Sequence, residues 1–164
     1  MIRPLTVQDR DALIPLLTDF FREIDPRGQI FAVDAAAVLG ELYLRLESED
    51  EKILGLLAVG EEIKSESATG PRTAGIQAAL LGRLEIRPLR QVSRVLFIDA
   101  AYTRPRSRGR GLMNALLESM TAWGGERGAG ALELAAVADN EPALRYWRRR
   151  GFSRDAVSFQ RELR

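Results

Sequence analysis

The sequence of 164 residues contains no cysteine and no histidine. These two absences exclude disulfide bonds, thiolate nucleophiles, zinc sites built from cysteine and histidine, and catalytic triads that use an imidazole. Any chemistry must therefore use carboxylates, hydroxyls, amines, guanidinium groups or the backbone, and we expect no metal site.

The sequence also lacks a long apolar run and an excess of charge of one sign. The longest strongly apolar run, 53–59, is far shorter than the ~20 residues of a membrane span, and the N-terminus has no signal-peptide pattern. The 24 Lys and Arg residues nearly balance 23 Asp and Glu residues, whereas a protein that binds polyanions with its whole surface is usually more basic. We therefore expect a cytoplasmic protein that binds neither membranes nor nucleic acid.

The length and the apolar pattern predict one domain over residues 1–164. The predicted elements are a strand at the N-terminus, two helices, a run of three strands, then helix, strand (131–137), helix and one or two closing strands in 152–163. A polar segment at 61–73, rich in Ser and Gly, is predicted to be a mobile loop. This order indicates an α/β (α+β) domain around a mixed sheet.

Two helices carry local predictions. Pro15 falls inside the apolar pattern of the first helix, which should therefore be short at its start or kinked. The second helix should begin after Asp34. Its predicted apolar stripe consists of Val38, Leu39, Leu42 and Leu46.

A turn rich in glycine and arginine follows the strand predicted at 93–103 and opens a helix. The first amides of a helix have no internal partner, and the helix dipole adds partial positive charge there. Gly109 and Gly111 let the backbone approach an anion closely, so the turn is suited to a pyrophosphate. Two alternatives remain: an arginine-rich surface turn with no ligand, or a nucleic-acid contact. The arginines that would make this contact are Arg104, Arg106, Arg108 and Arg110.

A second motif lies about 30 residues further on. Asn140 is predicted to cap a helix that has Pro142 in its first turn and ends at Gly151. Alone, this pattern indicates only a well-defined helix.

Together, the two motifs resemble those of the GNAT superfamily of acyl-CoA-dependent N-acetyltransferases. The Arg-x-x-Gly-x-Gly motif matches at Arg106, Gly109 and Gly111. The Asn-x-x-Ala motif with its trailing Gly-Phe matches at Asn140, Ala143, Gly151 and Phe152. The resemblance covers essentially the whole chain. It implies the GNAT fold, a mixed and mostly antiparallel central sheet flanked by helices and splayed between the fourth and fifth strands.

The resemblance also implies acetyl-CoA as the co-substrate, lying in the cleft where those two strands splay. The amides of 108–112 would hold its pyrophosphate, and the backbone of 101–103 would bond its pantetheine arm. The implied cofactor-binding residues are Ala101, Tyr102, Thr103, Arg106, Arg108, Gly109, Arg110, Gly111, Leu112, Asn140, Ala143 and Trp147.

Carboxylates are the candidates for catalysis. Asp99 lies among apolar residues of the strand before the turn, where related diamine acetyltransferases carry an acidic residue. It would act as the general base or bind the substrate amine; alternatively, it is bonded to a neighbouring arginine. Glu133 is a weaker candidate that could instead pair with an arginine. Since there is no cysteine, no acetyl-cysteine intermediate can form, and the acetyl group would pass directly to the amine.

One departure from the family pattern concerns the proton donor. Trp147 stands where members often have a tyrosine that protonates the leaving thiolate. Tyr146 is one residue earlier, a rotation of about 100° on a helix, and should face elsewhere. Two functions therefore remain open: an N-acetyltransferase acting on a primary amine of a small molecule or protein, and a weak or inactive GNAT-fold module that binds acyl-CoA. An exposed sheet edge could also pair in a homodimer.

Overall fold

The computed structural model describes residues 1–46, 52–60 and 75–154. The loop predicted at 61–73 lies outside these ranges, as does most of the predicted closing-strand segment; its first residues, 152–154, are not in a strand. The elements are β1 (Ile2–Pro4), α1 (Arg10–Ile24), α2 (Ala35–Leu46), β2 (Ile53–Val59), β3 (Ile76–Ile86), β4 (Arg94–Thr103), α3 (Leu112–Glu126), β5 (Ala131–Leu134) and α4 (Glu141–Arg149), with single 3₁₀ turns at Val7–Asp9 and Pro105–Ser107.

The sheet has the order β1-β2-β3-β4-β5. The first four strands pair antiparallel, and β5 pairs parallel to β4. The parallel pair follows from α3, because a crossover between parallel neighbours needs a connection long enough to hold a helix. The predicted α/β fold with a mixed, mostly antiparallel sheet flanked by helices is confirmed.

Helices cover both faces of the sheet. On one face, α1 and α2 contribute fully buried side chains such as Leu16 and Tyr43. On the other face, Leu116 and Met120 of α3 pack against Leu96 of β4. Strands covered on both faces read as nearly continuous apolar runs, which is why β2 and β3 were recognisable in the sequence.

Helix α2 begins after Asp34 as predicted. Of the predicted apolar stripe, Leu39 packs against the core, the side chain of Leu46 lies outside the described part, and the prediction is wrong at Val38 and Leu42. Val38 and Leu42 are 60% and 41% exposed. The contact face is centred instead on Gly40, where an added Cβ would lie 3.1 Å from Ile14 Cγ1 of α1. The glycine lets the two helices approach closely and so sets the rotation of α2. The residues buried on α2 by this rotation are Ala36, Gly40, Tyr43 and Leu44.

Helix α1 runs from Arg10 through Pro15 to Ile24, so its start is not shortened by the proline. Hydrogen bonds to the side chain of Asp9 account for this early start of the helix. The Asp9 carboxylate accepts from the Thr6 amide at 2.9 Å and from the Arg3 guanidinium at 2.6 and 2.7 Å.

Candidate active site

The sheet opens between β4 and β5. The two strands pair only where Val95–Ile98 of β4 faces Ala131–Leu134. Strand β4 continues to Thr103, but β5 ends at Leu134, three residues before the predicted end. The end of β4 that has no partner on the β5 side and residues 135–140 face each other across a cavity of about 970 Å³. The predicted splay between the fourth and fifth strands therefore forms the centre of the site.

The glycine-rich turn lines one end of this cavity. Gly109 and Gly111 both have φ of 75°, a left-handed conformation that favours glycine. No heavy atom lies within 4 Å of an ideal Cβ built on either residue, so their backbone is open to a ligand. Gly111 is the N-cap of α3, whose first amides have no partner within the helix. This geometry suits an anion.

The arginines of the turn have different environments. Arg108 donates from Nε to the Thr103 carbonyl at 3.0 Å and from Nη2 to both carboxylate oxygens of Glu23 at 2.6 and 2.7 Å. Its side chain is therefore anchored to α1. Arg110 lines the cavity and is exposed, whereas Arg106 is exposed and lies outside the wall.

Asn140 holds the start of α4 at the opposite side of the cavity. Its side chain accepts a hydrogen bond from the Ala143 amide at 3.2 Å, and Pro142 stands in the first turn, as predicted. Asn140, Ala143 and Trp147 all line the cavity.

The prediction that Tyr146 would face away from the cleft is wrong. Tyr146 lines the cavity together with Trp147, and its hydroxyl donates to Asn114 Oδ1 of α3 at 2.9 Å. The two rings meet edge to face at 5.0 Å. The face of α4 that lines the cavity therefore includes two neighbouring helix positions. Burial raises the pKa of the Tyr146 hydroxyl, which is therefore protonated at neutral pH.

Asp99 is the carboxylate at the opening between the strands. Its Oδ2 accepts from the Tyr43 hydroxyl and from Arg83 Nε, both at 2.7 Å, and its Oδ1 accepts from Arg83 Nη2 at 3.1 Å. Asp99 also lines the cavity. Each carboxylate oxygen can accept two hydrogen bonds, so Oδ1 has one acceptor position left among its contacts in the described residues.

The partners of Asp99 act as hydrogen-bond donors. Burial, and next the charge of Asp99, raise the pKa of Tyr43 far above its usual range, so this phenol keeps its proton. The hydrogen bond to Asp99 also raises the pKa of the Arg83 guanidinium. The expected alternative, a bond from Asp99 to a neighbouring arginine, is thus present together with exposure to the cavity.

Glu133 lies away from the described wall of the cavity. Its Oε2 is 3.5 Å from Arg87 Nε. Glu85 contacts both Arg87 and Arg83, so a row of alternating charges runs from Asp99 to Glu133. Among the described residues, the cavity brings Asp99 together with every predicted cofactor-binding residue except Arg106. The second catalytic candidate, Glu133, does not line it.

The cavity has an apolar wall whose residues lie outside the two sequence motifs. Helix α1 and the segment after it supply most of this wall, and β4 adds one ring. No short motif marks these positions, because they come from helical spacing and a loop. The residues are Phe20, Phe21, Ile24, Ile30, Phe31 and Phe97.

The comparison with protein families decides the family. Residues 11–152 match the Acetyltransferase (GNAT) family. The chain belongs to the GNAT family of acetyltransferases. A comparison with curated proteins found no significant match.

Solved structures with the same fold include the following three. A mutant of the BH1408 protein from Bacillus halodurans is 22% identical, with a TM-score of 0.78 and 99% of each chain covered. The enzyme AAC(6')-Iy in complex with the bisubstrate analogue CoA-S-monomethyl-acetylneamine is 16% identical, with a TM-score of 0.70 and 99% and 97% of the chains covered. Glucosamine-6-phosphate N-acetyltransferase from Arabidopsis thaliana is 16% identical, with a TM-score of 0.65 and 100% and 98% covered.

Two further observations concern the described part of this GNAT chain. No helix in it is long and apolar enough to cross a bilayer. It also contains no group of three or more metal-ligating side chains placed to hold an ion.

Proposed function

We propose that this GNAT protein transfers an acetyl group from acetyl-CoA directly to a primary amine. One observation carries the proposal: a single cavity joins the glycine-rich turn before α3 to the Asp99 carboxylate through the gap between β4 and β5. A cofactor bound at the turn could therefore extend through the gap between the two strands to the Asp99 carboxylate.

The residues present fit acetyl-CoA, which supplies an activated acetyl thioester when bound. The amides of 109–112 would receive its pyrophosphate; the amide of Arg108, also predicted to do so, donates instead to the Pro105 carbonyl at 3.3 Å. The exposed Arg110 would add positive charge. The edge of β4 from Ala101 to Thr103 has no strand partner on the β5 side, so its backbone is available to the pantetheine arm. A backbone amide there would polarise the thioester carbonyl.

Asp99 is the residue that we assign to the amine. An alkyl ammonium has a pKa near ~10.4 and must lose a proton before it can attack. The vacant acceptor position on Asp99 Oδ1 would hold the amine beside a water that takes this proton. Arg83 and Tyr43 keep the carboxylate in place because they bond its other positions.

The CoA thiolate can leave without a protein side chain that donates a proton to it, so Trp147 need not act as a general acid. Its indole N–H donates a hydrogen bond but does not give up a proton at neutral pH. A thiol of pKa about 8.5 is a tolerable leaving group, and water can protonate it.

The second candidate is a GNAT module that binds acyl-CoA with little or no turnover. Trp147 in place of the usual tyrosine favours it, as does the commitment of Asp99 to Arg83 and Tyr43. Both functions predict that the protein binds acetyl-CoA. Only the acetyltransferase is expected to release CoA thiol in the presence of an amine.

The test combines binding and turnover. We expect acetyl-CoA to raise the melting temperature, and we expect release of CoA thiol that needs both acetyl-CoA and an amine. The chain has no cysteine, so a thiol reagent detects CoA alone. Stabilisation without thiol release for any amine would support the binding module, and absence of stabilisation would contradict both candidates.

A further inference from the structure

The apolar wall of the cavity contains a continuous row of aromatic rings. The rings of Phe31 and Phe21 lie 5.0 Å apart, those of Phe21 and Phe20 also 5.0 Å, and those of Phe20 and Tyr102 6.1 Å. All four residues line the cavity. The row leads from Tyr102 of β4 to Phe31, which is 37% exposed.

The outer end of this row is held in place before any ligand arrives. Asp25, at the end of α1, accepts at Oδ1 from the Gln29 amide at 3.1 Å and at Oδ2 from the amides of Ile30 and Phe31 at 2.8 and 3.0 Å. These three bonds fix the loop that presents Ile30 and Phe31 to the cavity. A prebuilt apolar surface costs less ordering entropy when a ligand binds.

The carboxylates in this half of the cavity are already paired. Glu23 binds Arg108 through both oxygens, and Asp99 binds Arg83. The described wall carries three carboxylates, on Glu23, Asp99 and Asp139, and as many guanidinium groups, on Arg108, Arg110 and Arg150, so it has no excess of negative charge. A sugar with several ammonium groups would find few partners there, whereas one amine on an apolar body would match it.

We propose, as a refinement of the acetyl transfer proposed above, that the acceptor is a primary amine joined by a short aliphatic linker to an aromatic ring. The ring would lie against Phe21 and Phe31, and the amine would reach Asp99 Oδ1. In the transfer, the amine nitrogen forms a bond to the acetyl carbon and the C–S bond of acetyl-CoA breaks. The ammonium loses two protons, of which one ends on the CoA sulfur and one in solvent.

The acceptor class is tested with three amines and two variants. The amines are phenethylamine, propylamine (which lacks the ring) and neamine (which carries several ammonium groups). The test variant is Phe31→Ala, at the partly exposed end of the row. The matched control is Val33→Ala, because Val33 is fully exposed and does not line the cavity.

We expect kcat/KM for phenethylamine to exceed that for propylamine by about ten- to hundredfold, from burial of the phenyl ring. Phe31→Ala should raise the KM for phenethylamine by about fivefold or more, leaving kcat and the KM for acetyl-CoA within about twofold. Val33→Ala should match the parent protein. Equal use of propylamine, preference for neamine, or indifference to Phe31→Ala would overturn the acceptor class while leaving acetyl transfer intact.

A binding measurement separates the acceptor class from turnover. Saturation-transfer NMR of phenethylamine, with protein saturated by CoA, should show contact of the ring with the protein. The contact should weaken in Phe31→Ala and persist in Val33→Ala. If this pattern holds while no amine releases thiol, the aromatic site stands and the proposed acetyl transfer fails.

Discussion

Asp99 combines two properties that its sequence context alone could not separate. The apolar residues around it predicted a buried carboxylate in need of a partner. They did not predict that Asp99 is the extra residue of a β-bulge: Ile98 pairs with Gly82 and Ala100 with Leu81, so Asp99 has no partner on β3. A bulge redirects side chains beside a site. Here it accompanies a carboxylate that contacts both Arg83 and the cavity.

Replacing Asp99 tests its role in holding the amine. Asp99→Asn removes the charge and keeps an oxygen acceptor, and we expect the acceptor kcat/KM to fall about a hundredfold. The dissociation constant for acetyl-CoA should be unchanged, because the turn before α3 is untouched. Steady-state kinetics and calorimetric titration with acetyl-CoA measure the two quantities.

Two other variants serve as comparisons for Asp99→Asn. Glu118→Gln removes an exposed charge from α3 outside the cavity and should leave the kinetics within about twofold. Glu133→Gln should also have a small effect, because Glu133 contacts Arg87 away from the described wall. A larger loss in Glu133→Gln than in Asp99→Asn would reverse our assignment of the carboxylate.

Tyr146 shows where residue-level geometry from sequence fails. The rotation of about 100° between neighbouring helix positions is correct, but it excludes Tyr146 from the site only if the lining face of α4 is narrower than that rotation. Ala143, Tyr146, Trp147 and Arg150 all line the cavity, and their spacing of three and four residues makes them one broad face of the helix. The width of a cavity depends on how neighbouring elements pack, which local spacing does not report.

At the scale of elements, the turn before α3 and the cap of α4 were predictable because each depends on local chemistry. Glycines with positive φ and an asparagine cap act within a few residues. The contact face of α2 was not predictable in this way. Its rotation depends on Gly40 meeting Ile14 of another helix, a contact that the periodicity of α2 does not contain.

Substitution of two glycines, one at the N-cap of α3 and one inside α3, tests whether the backbone of the turn binds acetyl-CoA. Gly111→Ala forces a Cβ onto a residue with φ of 75°, at a conformational cost of about 1–2 kcal/mol. Because relief of this strain would move the first amides of α3, we expect acetyl-CoA to bind about tenfold more weakly. Calorimetric titration with acetyl-CoA measures the change.

Gly125→Ala is the matched control for that substitution. Gly125 lies inside α3, away from the cavity, and an added Cβ there meets no atom within 4 Å. Alanine should stabilise the helix by roughly 0.5–1 kcal/mol and leave acetyl-CoA affinity unchanged. If Gly111→Ala binds acetyl-CoA as tightly as Gly125→Ala does, the amides of the turn are not the anion site.

At the scale of the whole molecule, α1 links the edge of the sheet to the wall of the cavity. At its start, Asp9 binds Arg3 of β1 through both carboxylate oxygens. At its end, Asp25 binds the amides of the loop that carries Phe31. Both depend on an ionised carboxylate, so acid should weaken the fold and the cavity together.

The direction of the pH dependence follows from the pKa shifts. The hydrogen bond from Arg3 is the largest influence lowering the pKa of Asp9, and the amide of Phe31 is the largest one lowering that of Asp25. A carboxyl group with a lowered pKa in the folded state contributes stability above its unfolded pKa of about 3.9. That contribution disappears as the pH falls through the folded pKa.

We therefore expect Asp9→Asn to reduce the free energy of unfolding by about 1–3 kcal/mol at pH 7, since it removes the charged acceptor from Arg3 and Thr6. The difference from the parent protein should shrink as the pH falls below about 4, where the parent carboxylate also becomes protonated. Urea unfolding at a series of pH values measures it, with Glu118→Gln as the control for loss of a surface charge. A difference that stayed constant from pH 7 to pH 3 would mean that Asp9 acts through packing, and that its ion pair with Arg3 does not set the acid stability of α1.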